Sequence, residues 1–170
     1  MNPRIPLSLL GSALCLALSC APAQAQEIKR TVNPRATIPI ATAVSVPAGA
    51  ELVFLSGVLP DVAKADAPRG SVESYGDTQT QALSVLKKLQ ANLAAEGLSF
   101  ADTVSVRAFL VGDPAKDNKL DFAGFNAAFV GFFGTAEQPA RPVRTVVQVS
   151  ALPAPGALVE VDLVAARVQR

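Results

Sequence analysis

Histidine and tryptophan are absent from this 170-residue chain, and its two cysteines, Cys15 and Cys20, lie close to the amino terminus. Without histidine the chain cannot form a Ser-His-Asp triad or a His-ligated metal centre. A cysteine nucleophile or a disulfide would have to come from the first twenty residues, which have the features of a cleaved leader. Chemistry in the rest of the chain therefore depends on arginine, lysine, carboxylates, hydroxyls, amides, backbone groups and water.

A charge excess of either sign is also missing. Fifteen Lys and Arg residues balance fourteen Asp and Glu residues, and aromatic residues make up only 5% of the chain. Nucleic-acid binding needs a basic surface, usually with aromatic rings for base stacking. We therefore expect no nucleic-acid partner. No Asp-rich loop of the kind that binds Ca²⁺ or Mg²⁺ is visible, so no metal or other cofactor is expected.

The first 25 residues have the layout of a secretory signal peptide. Arg4 is followed by an apolar run, Leu7–Leu18, and by the small-residue site Ala23–Ala25. The apolar run is too short to span a bilayer. The alternatives are a buried helix that opens the domain, and a lipoprotein leader cleaved before Cys20. We expect a periplasmic or secreted protein with no stable membrane association unless Cys20 is lipidated.

The remaining sequence predicts one domain preceded by a short arm. Residues 26–38 are polar and contain proline, and residues 39–170 show no internal repeat or linker. Alternating apolar residues at 43–46 and 51–57 flank a Pro/Gly turn at 47–50, which predicts a β-hairpin.

Helical periodicity replaces this alternation over residues 77–96, and Gly97 supplies a natural end to the helix. A β-branched and apolar run then predicts a strand over 103–111. The apolar residues that recur with helical spacing are Ala82, Val85, Leu86, Leu89 and Leu93.

A second helix is predicted over 120–133, with Asp117 and Asn118 available to cap it. This segment holds five of the eight phenylalanines, which fall near one face and indicate core packing. Asn126 shares that face, and a buried asparagine needs hydrogen-bond partners.

Two further strands, 143–149 and 157–165, are joined by a Pro/Gly turn at 153–156. The predicted order is β-β-α-β-α-β-β. It is typical of an α+β fold in which a mixed, mostly antiparallel sheet carries two helices on one face.

Several polar residues stand inside segments that otherwise look buried. Arg144 lies near the start of a Val-rich strand, Glu160 and Asp162 alternate with apolar residues in the last strand, and Ser56-Gly57 ends an apolar run. Each has an ordinary explanation, such as an edge charge in water, a solvated sheet face or a simple turn. Together with Asn126 they form a plausible site for a small acid. An arginine fork pairs bidentately with a carboxylate, a glycine lets backbone approach a ligand, and a glutamate can polarise water.

These residues occur in motifs that resemble the RidA family, also called YjgF/YER057c/UK114. The strongest resemblance is in Pro142–Thr145, Gln148–Pro153 and Val159–Val161. These stretches resemble the family pattern of Pro-x-Arg-Ser/Thr, then an apolar strand to Ala-Leu-Pro, then an apolar-Glu-apolar triplet. The second-helix motif resembles Asp121–Asn126, and the end of the second strand resembles Leu55–Pro60. The resemblance extends over nearly all of the chain that follows the predicted leader.

The resemblance implies a chorismate-mutase-like fold, a homotrimer with clefts between subunits, and hydrolysis of reactive enamine or imine acids such as 2-aminoacrylate. Arg144 would hold the substrate carboxylate and Glu160 would position or polarise the attacking water. Ser56 and Gly57 would line the pocket, with Asn126 supporting it.

Two positions depart from the archetypal deaminases, because Ile40 follows Pro39 where they carry Tyr and Val146 stands where they often carry Cys. A non-catalytic small-carboxylate-binding or chaperone-like envelope protein is therefore the alternative to an enzyme. The ribonuclease activity sometimes attached to the family's name is disfavoured by the lack of histidine and of a basic patch.

Overall fold

The amino-terminal arm forms one strand of a small antiparallel ribbon in the computed structural model, which describes residues 27–168. The ribbon consists of β1 (Lys29–Thr31) and β2 (Ala43–Ser45). The arm is fixed by the Arg30 guanidinium, which donates hydrogen bonds to the carbonyl oxygens of Ala101, Thr103 and Arg141 at 2.7–3.0 Å.

The predicted hairpin of residues 43–46 with 51–57 is wrong. β3 (Glu51–Val58) leaves the ribbon at the turn and pairs instead with the last strand of the chain. Alternation indicates that a segment is a strand but does not specify its partner, and the three-residue β1 has too short a pattern to identify.

The main sheet has four strands in the spatial order β3-β6-β4-β5. Besides β3 it contains β4 (Thr103–Val111), β5 (Val143–Val149) and β6 (Val159–Arg167). β6 is antiparallel to β3 and β4, whereas β5 is parallel to β4. The predicted mixed, mostly antiparallel sheet is confirmed. β3 and β5 lie at opposite edges of the sheet.

Within the described residues, three α-helices accompany the sheet: the single-turn α1 (Val72–Tyr75), α2 (Thr78–Ala95) and α3 (Phe122–Phe129). The Asp77 carboxylate caps α2 by accepting from the Thr80 N–H at 2.8 Å. The helix ends at Ala95, and the φ of +67° at Gly97 allows the Leu98 N–H to reach the Leu93 carbonyl.

α3 is shorter than the predicted helix over 120–133, and its cap is a different residue. The Asp121 carboxylate accepts from the Gly124 N–H at 2.9 Å, whereas Asp117 and Asn118 adopt left-handed backbone conformations in the preceding turn. Phe133 lies beyond the helix and is still fully buried, with its ring stacked on Phe129 at 4.6 Å. Aromatic packing therefore continues where the helical hydrogen bonds stop.

The core lies between the sheet and the two longer helices, which cover one face of it. Alternate residues of β4 and β6 point into this core, and the α2 residues predicted from periodicity are all buried there. The opposite face is not covered by other described residues of the single chain, and it carries exposed apolar side chains, since Leu52, Phe54 and Val147 are 41–72% exposed. Among residues 27–168, no helix combines the length and hydrophobicity needed to cross a bilayer. The predicted signal peptide lies outside the described residues.

Candidate functional site

Arg144 extends from the edge strand β5 towards the helices and is surrounded by aromatic rings. Its neighbour in the sheet is Val106, whose side chain lies in the core, so both face the helices. The guanidinium carbon lies 4.4 Å from the ring centroid of Phe129 and 5.5 and 5.6 Å from those of Phe125 and Phe122. Cation–π attraction to three rings holds this side chain in place.

The guanidinium of Arg144 has no charged partner within the part of the chain that the structure describes. No ion pair there includes it, and its buried Nη1 atom makes no hydrogen bond. Burial lowers the pKa of Arg144 to about 10, which still leaves it protonated at neutral pH. A sheltered cation with an unsatisfied donor is costly, because burial removes water that no residue between 27 and 168 replaces. An external anion would satisfy it.

Asn126 lies on the same helix as the three rings. Phe122, Asn126 and Phe129 are spaced at i, i+4 and i+7, so they share one strip of α3. The Asn126 Oδ1 atom is buried and has no hydrogen-bond partner among the described residues. The expectation that this asparagine has hydrogen-bond partners is therefore not met for Oδ1 among the described residues.

A second group of predicted residues lies on the opposite face of the sheet. Ser56 and Gly57 form an irregularity in β3, where the register shifts between Leu55 and Val58 against β6. The Glu160 side chain occupies the space that a side chain at position 57 would need. A Cβ there would overlap the carboxylate and lie 2.9 Å from Cδ. Glycine at this position lets the carboxylate rest directly on the β3 backbone.

The two carboxylates of β6, those of Glu160 and Asp162, differ in their ion pairing. Asp162 is held by Arg107 through two hydrogen bonds of 2.8 Å, a bidentate pair. Glu160 forms no ion pair with any residue between 27 and 168. Of the two, Glu160 is the carboxylate available to a ligand or water.

A single protomer does not bring the two groups of residues together. Arg144 lies on edge strand β5 and faces the helices, whereas Glu160 lies on β6 and faces away from them, since its neighbours Val159 and Val161 are fully buried. β5 and β6 are separated by β4, roughly 10 Å across the sheet. The expectation that a glutamate lies near Arg144 is therefore not met within one chain. The candidate residues therefore fall into two candidate half-sites, Arg144 with Asn126 and Glu160 with Ser56-Gly57.

The aromatic surroundings of Arg144 are not evident from the sequence. Core packing is predicted for the phenylalanines, which holds for Phe125 and Phe129, whereas Phe122 is 43% exposed. The signal available was the i, i+3 and i+7 spacing of the three rings. Nothing in the sequence linked that strip to an arginine on a strand some twenty residues later. The two departures from the archetypal deaminases, Ile40 and Val146, are partly buried and pack against the core.

The α+β fold and the arginine of the carboxy-terminal strands define the class of protein. A family model described as "Endoribonuclease L-PSP" matches residues 25–167, and the chain belongs to this family, which is the Rid/YjgF family. The predicted family assignment is confirmed.

Relatives of known sequence or structure agree with this assignment. The chain is 38% identical over 133 residues to protein DfrA of Myxococcus xanthus, covering 78% of this chain and 88% of DfrA. It is similar to E. coli TdcF, solved with bound serine, at 29% identity and a TM-score of 0.53, covering 85% of this chain and 98% of TdcF. A Rid-family protein of unknown function from Yersinia pestis shares the fold with a TM-score of 0.58 at 24% identity, covering 80% of this chain and 96% of that one.

Proposed function

We propose that this protein binds small carboxylic acids through Arg144 and hydrolyses reactive enamine or imine acids to 2-oxo acids and ammonia. The observation that carries the proposal is the sheltered guanidinium with an unsatisfied donor and no acidic partner in the described chain. A planar guanidinium pairs bidentately with a carboxylate, and the aromatic rings fix its orientation beforehand. The similar TdcF was solved with serine, which is itself a small carboxylic acid.

The complete site requires two protomers. We propose a homotrimer in which the edge strand β5 of one protomer packs on the uncovered sheet face of the next, so that Arg144 and Asn126 meet the neighbour's Glu160 and Gly57. The exposed apolar side chains on that face, led by Phe54 at 72% exposure, support such an assembly, because monomeric proteins rarely leave a continuous apolar surface in water.

The proposed reaction needs only water and these side chains. Arg144 holds the carboxylate, and Glu160 accepts a proton as water adds to the imine carbon. From the protonated imine this addition gives a carbinolamine. Glu160 passes its proton to the amino nitrogen, the C–N bond breaks and ammonia leaves, and the remaining hydroxyl proton moves to Glu160 and then to solvent as the carbonyl of the 2-oxo acid forms. No covalent intermediate forms, consistent with the lack of histidine and with cysteines confined to the first twenty residues.

Ammonia release from enamines generated in situ by an amino-acid oxidase or a dehydratase tests this proposal. Wild type should exceed Arg144→Ala by at least about a hundredfold in kcat/KM, whereas Arg69→Ala, at an exposed arginine, should match wild type. Equal rates for wild type and Arg144→Ala would refute it. If wild type instead binds 2-oxo acids saturably without turnover, and Arg144→Ala loses this binding, the protein is the non-catalytic envelope binder. This is the alternative favoured by Ile40. A nuclease assay with the same pair of proteins tests the ribonuclease activity that is sometimes attached to the family's name.

We further propose that the protein is exported. The leader-like residues 1–25 end where the family match begins, at residue 25. Mass spectrometry of the mature amino terminus distinguishes the outcomes. A start at Gln26 supports free export, a lipid-modified start at Cys20 supports anchoring, and an intact Met1 start contradicts both.

A further inference from the structure

The Arg144 half-site carries two unsatisfied polar atoms of opposite kinds. Arg144 Nη1 is a buried donor and Asn126 Oδ1 is a buried acceptor, and neither has a hydrogen-bond partner among the described residues. Buried polar atoms in folded proteins are nearly always hydrogen-bonded, so such exceptions call for an explanation. A ligand with both an acceptor and a donor would satisfy both atoms at once.

The two atoms belong to side chains that lie on, or pack against, one strip of α3. The Arg144 guanidinium rests on Phe122 and Phe129, and Asn126 lies between these two in sequence and on the same helical strip. Asn126 is the one polar side chain of α3, so it is the residue of this helix that can hydrogen-bond a ligand held at the guanidinium. The exposed part of the Phe122 ring gives this corner an apolar border.

We propose that Asn126 is a specificity-determining residue that accepts a hydrogen bond from the α-nitrogen of the ligand. The site then selects acids with an N–H beside the carboxylate, namely α-amino and α-imino acids, over 2-oxo acids. A 2-oxo acid offers Oδ1 no donor and leaves it unsatisfied, a penalty that distinguishes otherwise similar ligands. This selectivity rests on the proposed function, and it explains how substrate is retained while a 2-oxo acid product is released.

Calorimetric titration with matched acids tests the inference. The pairs are L-alanine with pyruvate and L-serine with hydroxypyruvate, which differ at the α-position. Wild type should bind each amino acid about tenfold more tightly than its 2-oxo counterpart. In Asn126→Leu the ratio should fall to about one through loss of amino-acid affinity. In Asn126→Asp, which keeps an acceptor oxygen at this position and replaces the amide NH2 by a second acceptor, the ratio should stay at about tenfold or rise. Asn92→Leu, at an exposed position of α2, is the matched control.

The outcomes separate the two proposals. An unchanged ratio in Asn126→Leu, or a wild type that prefers the 2-oxo acids, overturns the role of Asn126 and leaves the carboxylate site intact. If Arg144→Ala keeps its affinity for all four acids, or if folded wild type binds none of them, the carboxylate site itself is overturned. Circular dichroism checks that each variant is folded, and Asn126→Ala replaces the leucine variant if leucine prevents folding.

Discussion

Replacing Arg144 by methionine should make the protein more stable while abolishing its binding of small acids. The change removes a half-buried cation whose Nη1 atom lacks a hydrogen bond, and it keeps an unbranched side chain in contact with the rings of Phe125 and Phe129. Sulfur–aromatic contacts replace part of the lost cation–π attraction. A functional arginine that costs stability is expected where a site is arranged for a ligand that is absent.

The magnitude follows from the pKa. Burial lowers the pKa of Arg144 from its ordinary value to about 10, which corresponds to a destabilisation of about 3 kcal/mol at 1.36 kcal/mol per pKa unit. Solvent screening of a partly exposed group reduces this to about 1–2 kcal/mol. After the loss of cation–π attraction, a net gain of about 1 kcal/mol remains for Arg144→Met. For a chain of this size, the gain corresponds to an increase in Tm of about 2–4 °C.

The sign of the pH dependence follows from the same shift. The pKa is lower in the folded state, so the protonated arginine destabilises the fold at every pH below about 10. As the pH rises above about 10, the folded state releases this proton before the unfolded state does, and the destabilisation declines. The Tm difference between Arg144→Met and wild type should therefore be constant from about pH 6 to about pH 9 and narrow above that range.

Differential scanning calorimetry measures this difference. All scans use one protein concentration, because the proposed assembly would contribute to Tm. A saturating small acid should raise the Tm of wild type and leave that of Arg144→Met unchanged, since only wild type binds it. Arg69→Met, which removes an exposed arginine, should shift Tm by less than about 1 °C. A fall in Tm of 2 °C or more for Arg144→Met would refute the reasoning, because it would mean that Arg144 already has a satisfying partner.

Three further substitutions test other parts of the structure. Gly57→Ala should reduce kcat about tenfold or more with little loss of secondary structure by circular dichroism, because the new Cβ displaces the Glu160 carboxylate; unchanged kcat would contradict the placement of Glu160. Phe54→Glu should convert the assembly into folded monomers in light scattering, since this ring is 72% exposed on the uncovered sheet face; a persistent trimer would locate the interface elsewhere. Phe129→Leu should cost about 1–2 kcal/mol in denaturant unfolding and weaken acid binding, because it removes the ring 4.4 Å from the Arg144 guanidinium; unchanged affinity would show that the ring only fills the core.

Most of the fold could be predicted because its strands and long helix have clear periodicities. The α2 pattern identifies its buried face, and Gly97 marks its end through a positive φ that glycine adopts readily. The partner of β3 could not be predicted, because sheet pairing joins residues that are distant in sequence. The cap of α3 was misassigned for a different reason. Asp117, Asn118 and Asp121 are all plausible caps by composition, and the left-handed turn at the first two decides against them.

The sequence indicates which residues could form the candidate site, but it does not indicate their arrangement. Arg144, Asn126 and Glu160 stood out because each interrupts an apolar pattern, and two of them have atoms that the described chain leaves unsatisfied. A sequence pattern does not show whether the polar residues of two strands lie on the same face of a sheet when a third strand lies between them. Their separation into two half-sites appears only with the strand order β3-β6-β4-β5.

The most direct test of the central claim is subunit mixing between Arg144→Ala and Glu160→Gln. If each site combines Arg144 of one protomer with the neighbour's Glu160, both parent trimers are inactive. Unfolding and refolding a 1:1 mixture then pairs an intact arginine with an intact glutamate in about a quarter of the clefts. Imine hydrolysis at about a quarter of the wild-type rate is the predicted result. A mixture no more active than either parent would contradict an active site shared between protomers.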